Sequence, residues 1–282
     1  SELLFPFCHF GPGGAAPEIV YSGRSSALNP YVIRAVSRLG GDEFVVVYQP
    51  QVDARSGRIT AAEALVRWRP PRGRLVPPME FIPFAEECGL IDAIGTRVLQ
   101  HACRDAAAWM ARGLELRVAV NLSSMQFSAS GLLDIVRDAL ATSGLPADRL
   151  ELEITESALM ADDDATYATL DALRTLGIDI ALDDLGTGYS SLSYLKRLPL
   201  GKLKIDRSFV SGLPNDADNL AIVRAILALA RHLGFRITAE GVETPAQARL
   251  LGELEADSLQ GYLFSRPVPA TEIEALARRR WS

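Results

Sequence analysis

Several strand-like stretches of this 282-residue chain carry polar side chains where a buried strand would carry apolar ones. Glu63 falls in ITAAEALVRW, Asn121 ends LRVAVN, Glu153 and Glu156 lie in ELEITE, and Asp183-Asp184 close IDIALDD. Lys204 and Asp206 follow in KLKID, Glu240 and Glu243 in ITAEGVE, and Gln260 immediately before GYLF. Any one of them alone reads as an ordinary strand-end cap, and Glu156 and Glu243 more so than the others. A whole series is harder to explain that way, because carboxylates gathered in one place repel one another and lose hydration unless protons or cations compensate. A metal ion is the cheaper compensation. Glu63, Glu153, Asp183 and the amide oxygen of Asn121 form an oxygen-only donor set, which suits Mg²⁺ or Mn²⁺ better than zinc. Strict strand alternation sends the adjacent Asp183 and Asp184 to opposite faces, so both reach one site only if the pleat is locally broken. In that case Asp183 bridges two ions and Asp184 holds the second, an arrangement suited to cutting a phosphoester. Lys204 has two readings, a charge or water-positioning group in the site and a strand-end lysine extending to solvent.

The elements that must position these groups are legible as a rhythm. Eight strand-like runs begin with FVVVYQPQV and end with ADSLQGYLFSRP. Amphipathic helical segments lie between most of them, over Ile91 to Met110, Leu132 to Ala141, Ala165 to Leu176, Asn219 to Leu233 and Ala246 to Leu254. Strands joined through single helices pair in parallel. The connection DARSGR between the first two runs is too short for a helix and predicts an antiparallel turn. The expected fold class is α/β, a modified TIM (β/α)8 barrel with an antiparallel first strand, and an open doubly wound sheet is the competing topology. In a barrel the strand ends converge on one mouth, where side chains from different strands meet. Residues 1–30, rich in Gly, Pro and Ser, read as a linker or the remnant of an upstream region, and 31–282 as the barrel domain.

Composition agrees with a soluble globular domain: 48% hydrophobic and 23% charged residues leave ample material for a core. The net charge of -6 disfavours capture of a DNA or RNA polymer, while a small anion remains acceptable to a metal site. Cys8, Cys88 and Cys103 form neither a disulfide framework nor a metal cluster, which fits a reducing cytoplasm. No apolar run approaches the length of a membrane span, and SELLFPFCHF lacks the basic start of a signal peptide. Direct membrane insertion is therefore not expected, although a longer parent chain could be membrane-attached. Ser123-Ser124 has no histidine placed to activate either serine, and His9, His101 and His232 show no ligand spacing. Arg67 shares the face of Glu63 and Leu65 by alternation and is the better phosphate contact; Arg69 reads equally well as a surface residue.

Taken in order, Glu63-Ala64-Leu65 with Val66-Arg67-Trp68, Asn121-Leu122-Ser123, Glu153-Ile154-Thr155-Glu156 and the run from Asp183 to Ser191 resemble the EAL-domain cyclic di-GMP phosphodiesterases. Lys204-Ile205-Asp206, Ala239-Glu240-Gly241-Val242-Glu243-Thr244 and Gln260-Gly261-Tyr262-Leu263-Phe264 continue the resemblance, which covers approximately residues 43 to 270. It implies hydrolysis of cyclic di-GMP to linear pGpG with two Mg²⁺ or Mn²⁺ ions. By motif position, Glu63, Asn121, Glu153 and Asp183 are implied as ligands of the first ion, and Asp183 and Asp184 of the second. Lys204 is implied in organising the water, Glu240 and Gln260 in supporting the metals and their waters, and Glu156 in holding the loop after Asp184. Arg67 matches a substrate-phosphate contact, with Gln49, Leu65 and Asp206 grouped with it on the substrate side. The resemblance also implies a homodimer through Tyr189 to Arg197 and Ala217 to Leu229, and allows for an upstream sensory or regulatory domain. Leu185 departs from the family's Asp-Asp-Phe-Gly, which leaves a cyclic di-GMP sensor with little turnover as the alternative. Gly40-Gly41-Asp42-Glu43-Phe44 spells a diguanylate cyclase signature, but only 39 residues precede it and Phe44 runs straight into the first barrel strand, so cyclase activity is not expected.

Overall fold

The computed structural model describes residues 8–9, 18–19, 43–70, 74–129, 131–159, 164–185 and 195–281. Two compact units divide the chain: Ser1–Val45 with Val66–Gly95, and Val46–Leu65 with Thr96–Ser282. In the first, two short strands, β1 (Cys8–His9) and β2 (Glu18–Ile19), pair antiparallel. The ring of Phe81, from helix Pro78–Glu87, meets those of Phe44 and Trp68 at centroid distances of 5.7 and 6.4 Å. The Trp68 indole donates to the Glu43 carboxylate at 3.3 Å. Helix Pro78–Glu87 is not among the predicted helices, because its prolines disguise it. Pro78 occupies the first helical turn, where a missing N–H costs nothing, and only Pro83 lies inside.

Eight strands close the barrel, in the order β10-β3-β4-β5-β6-β7-β8-β9. They are β3 (Phe44–Asp53), β4 (Ile59–Trp68), β5 (Arg117–Leu122), β6 (Leu150–Thr155), β7 (Asp179–Leu185), β8 (Lys202–Ile205), β9 (Arg236–Ala239) and β10 (Ser258–Gln260). From β4 to β10 successive strands run parallel, while β3 pairs antiparallel with β10. The reversed first strand is thus as expected, and the turn after it is closed by the Asp53 amide on the Arg58 carbonyl at 2.8 Å. Of the two candidate topologies the closed barrel is the one formed. Helices Ile91–Ala111, Leu132–Ser143, Asp164–Thr175, Ala217–Leu233 and Pro245–Glu253 fall within two residues of the predicted segments.

Alternation along the strands explains how a barrel can be apolar outside and polar within. On β6, Leu150, Leu152 and Ile154 are buried on one face while Glu151 and Glu153 are buried on the other. β8 repeats the pattern with Leu203 and Ile205 against Lys202 and Lys204, all four buried. The polar face that an antiparallel sheet would give to water is here the interior of the barrel. Among the described residues no helix is long and apolar enough to cross a membrane. Cys88 and Cys103 are buried thiols.

Candidate active site

The interior polar face rises to a cluster centred on the fully buried Lys204 of β8. Its ammonium lies 2.6 Å from Glu153 Oε2, 2.6 Å from Glu240 Oε1, 3.2 Å from Asp183 Oδ2 and 3.8 Å from Glu63 Oε1. Those four acids come from β6, the end of β9, β7 and β4, so the convergence predicted for the mouth is the geometry observed. From β5, Asn121 donates its amide to Glu63 Oε1 at 2.6 Å, and from β10, Gln260 donates to Glu63 Oε2. Gln260 also donates to Gln49 Oε1 at 3.2 Å, and Gln49 in turn donates to the Ser265 carbonyl at 3.1 Å. Asn121 is exposed whereas Glu63 and Glu153 are buried, so the cluster opens to solvent on the Asn121 side.

The backbone supplies two special features. Between β7 and β8, Leu182 pairs with Leu203 and Leu185 with Ile205, so three steps on β7 oppose two on β8. This bulge breaks the pleat locally at the Asp183-Asp184 pair. The Asp184 and Leu185 side chains and residues 186–194 lie outside the described residues. At the other special position, a Cβ on Gly261 would come within 2.1 Å of the Val242 carbonyl oxygen. Only glycine permits this approach, through which the Val242 amide reaches the Gln260 carbonyl at 3.0 Å and ties the Glu240 segment to the Gln260 segment.

Electrostatics follow from one ammonium facing four carboxylates. Burial alone would lower the Lys204 pKa, but Asp183, Glu153, Glu240 and Glu63 together hold it well above the ordinary lysine range. Glu153 is raised well above the carboxylate range by burial and by its acidic neighbours Glu63, Asp183 and Glu151, despite Lys204. Glu240 is pushed up to about 8, first by burial. Glu63 is lowered, since Lys204 and the hydrogen bonds from Gln260 and Asn121 outweigh its burial.

The other predicted residues are distributed more widely. Glu156 is buried, and among the described residues neither of its carboxylate oxygens has a hydrogen-bond partner. Asp206 caps helix Arg207–Val210, one of its oxygens accepting from the Ser208 amide at 2.9 Å. Leu65 is half-buried near the end of β4. Arg67 lies in the first unit, where its guanidinium donates to the Val66 carbonyl at 2.8 Å. Glu243 is exposed, and Ser123 serves as a helix cap, accepting from the Gln126 amide at 3.2 Å. Three polar residues deeper in the barrel were not singled out from sequence: Gln51, Glu151 and Lys202, all buried. The signal was present in the letters QPQ, ELE and KLK, which place each of them two residues from a counterpart of the same type and so on the same strand face.

Among the described residues no group of three or more His, Cys, Asp or Glu side chains stands ready to hold a metal ion. The oxygens face the Lys204 ammonium instead. The donor chemistry nevertheless fits a hard divalent cation: Glu63, Glu153 and Asp183 already converge on one cationic centre, and four carboxylates leave it short of positive charge. Among the described residues the buried Gln260 Oε1 has no hydrogen-bond partner, an acceptor suited to a water at the same site.

The EAL domain family model matches residues 34–267. MucR of Pseudomonas aeruginosa, a bifunctional diguanylate cyclase/cyclic di-GMP phosphodiesterase, is 49% identical over 234 residues, covering 83% of this chain and 34% of MucR. The cyclic di-GMP phosphodiesterase NbdA of the same organism is 46% identical over 241 residues, covering 85% of this chain and 31% of NbdA. The chain thus spans about a third of the length of these curated relatives. The solved phosphodiesterase of PaMucR in complex with c-di-GMP superposes with a TM-score of 0.82 at 46% identity, over 86% of this chain and 99% of that one. The EAL domain of Mycobacterium smegmatis DcpA gives 0.73 at 38% identity, over 85% and 100%. Since the matched span contains every strand of the barrel and every side chain around Lys204, the chain belongs to the EAL domain family.

Proposed function

We propose that this domain hydrolyses one phosphodiester bond of cyclic di-GMP, giving linear pGpG. The observation that carries this reading is the charge imbalance at the mouth: acids from four elements of the barrel converge on a single buried ammonium, at the positions of the family's motifs. The likeness to relatives named as cyclic di-GMP phosphodiesterases supplies the substrate. Glu63, Asn121, Glu153 and Asp183 would hold one Mg²⁺ or Mn²⁺, and Asp183 with Asp184 a second. Such ions polarise a phosphoryl oxygen, lower the pKa of a water and stabilise the departing oxygen.

The chain's own groups do the rest. Lys204, kept protonated by its carboxylate neighbours, acts as a fixed hydrogen-bond donor that orients the attacking water. Glu240 holds the Lys204 ammonium in place, and Gln260 fixes the rotamer of Glu63 while its free carbonyl face receives a water. In the reaction the water oxygen bonds to phosphorus, one ring P–O bond breaks, and the departing sugar oxygen takes up a proton. Arg67, Gln49, Leu65 and Asp206 contribute to substrate binding, and Glu156 anchors the loop after Asp184. A homodimer is part of the same reading, supported by the exposed Ile222 on helix Ala217–Leu233, as is operation within a longer regulated cytoplasmic protein.

The test is incubation of purified protein with cyclic di-GMP and Mg²⁺ or Mn²⁺, alongside metal-free and Glu63→Ala controls. Formation of pGpG by the metal-loaded wild type alone is the expected result. Tight binding without product would replace the enzyme by a sensor.

A further inference from the structure

We propose that Gln51 is a positioning residue for Glu153, clamped in its working orientation by the buried Lys202–Glu151 ion pair. The inference rests on the reading of Glu153 as a metal ligand. Glu151 and Lys202 are 0% and 3% exposed, and the Lys202 ammonium stands 2.6 Å from both oxygens of Glu151, with Oε1 accepting the hydrogen bond. The same ammonium donates to Gln51 Oε1 at 3.2 Å. On the other side of the amide, Gln51 Nε2 faces Glu153 Oε1 at 3.5 Å, the long end of a hydrogen bond.

Chemistry settles which way this amide points. An ammonium has only donors to offer and a carboxylate only acceptors, so the atom facing Lys202 must be the oxygen and the atom facing Glu153 the NH₂. Gln51 is therefore stretched between opposite charges, its dipole aligned with both. As a result both oxygens of Glu153 are engaged, Oε1 by Gln51 and Oε2 by Lys204, and the carboxylate plane cannot turn freely. Glu151, two residues before Glu153 on the same face of β6, would on its own place a second negative charge below the site; Lys202 neutralises it.

A buried ion pair is an expensive way to fill a barrel, since a well-fitted apolar pair of the same volume is generally as stable or more so. Neighbouring strands make room for it with small residues, Ala119 in register with Glu151 and Ala181 with Lys202. Its contribution is orientation: partners that fix a ligand's geometry from behind commonly govern metal affinity or activity by about 10- to 100-fold.

Two variants test this, Gln51→Leu and the charge-neutral pair Glu151→Leu/Lys202→Met. The measurements are Mn²⁺ affinity by titration calorimetry on substrate-free protein, Tm in EDTA, and kcat and KM for cyclic di-GMP at saturating Mn²⁺. Both variants are expected to bind Mn²⁺ about tenfold more weakly, with kcat reduced and KM unchanged, while the Tm of the double variant in EDTA stays level or rises. Wild-type Mn²⁺ affinity and kcat in a folded Gln51→Leu protein would overturn the inference, whether or not the double variant folds. If wild type binds no Mn²⁺, or Glu153→Gln binds it as tightly as wild type, the metal reading of Glu153 fails and the positioning role fails with it.

Discussion

The two ends of strand β7 place an aspartate in opposite electrostatic company. At its start, Asp179 accepts from Arg117 at 2.9 Å and also contacts Arg236, two cations for one carboxylate. Near its end, Asp183 shares the single ammonium of Lys204 with Glu63, Glu153 and Glu240. Between them lies the balanced Lys202–Glu151 pair. Charge is thus graded along the barrel axis, from a cationic surplus through neutrality to an anionic surplus. The first end is balanced as it stands, whereas the second is short of positive charge, as the proposed divalent-ion site requires.

Substitution at each aspartate tests that division most directly. Asp183→Ala is expected to lower turnover by about 10³-fold, the scale of losing several kcal/mol of metal-derived stabilisation. Its Tm in EDTA should hold or rise, because one of the crowded acids is gone; a parallel loss of Tm and activity would make Asp183 structural. Asp179→Ala should do the reverse, costing about 1–2 kcal/mol of stability from two charge-assisted hydrogen bonds, with kcat per folded molecule unchanged. Denaturant melts and an active-site titration separate the two quantities. A smaller version of the same loss is expected of Gly201→Ala, whose new Cβ would lie 2.0 Å from Asp179 Oδ1 and push the carboxylate off its arginines. If Gly201→Ala leaves stability untouched, the Asp179 cluster is worth little.

The last expected effect is one of pH. Glu240 is shifted from 4.5 up to about 8, so the folded protein retains a proton that the unfolded chain releases between those values. Its contribution to stability is complete below that window and is lost as pH rises through it. In EDTA, wild type should lose stability relative to Glu240→Gln between about pH 5 and about pH 8, and saturating Mn²⁺ should shrink the difference by relieving the negative surplus. Equal slopes for the two proteins in EDTA would mean that the surplus is not felt at Glu240.

Much of this was legible in the letters. The eight strands, the reversed first strand and the gathering of Glu63, Asn121, Glu153, Asp183, Lys204, Glu240 and Gln260 follow from alternation and from the length of one connection. What escaped was the tier below. Glu151, Lys202 and Gln51 were not singled out, because sequence alone does not say that a polar face turns inward when the sheet closes. The second role of Asp206 escaped as well: grouped on the substrate side by motif position, it also caps the helix that follows, as an aspartate at a strand-to-helix junction naturally does. Helix Pro78–Glu87 was hidden because proline at its start and within it suppresses the helical pattern.

The reversed direction of β3 has a mechanical consequence. In a barrel whose strands all run one way, the first strand begins at the base, far from the reacting groups. Here the backbone enters β3 at the rim and travels downward past Gln49, which touches Gln260, and then Gln51, which touches Glu153. A shift of the β3 backbone along its own axis therefore moves both glutamines together, and with them the contacts to Gln260 and Glu153.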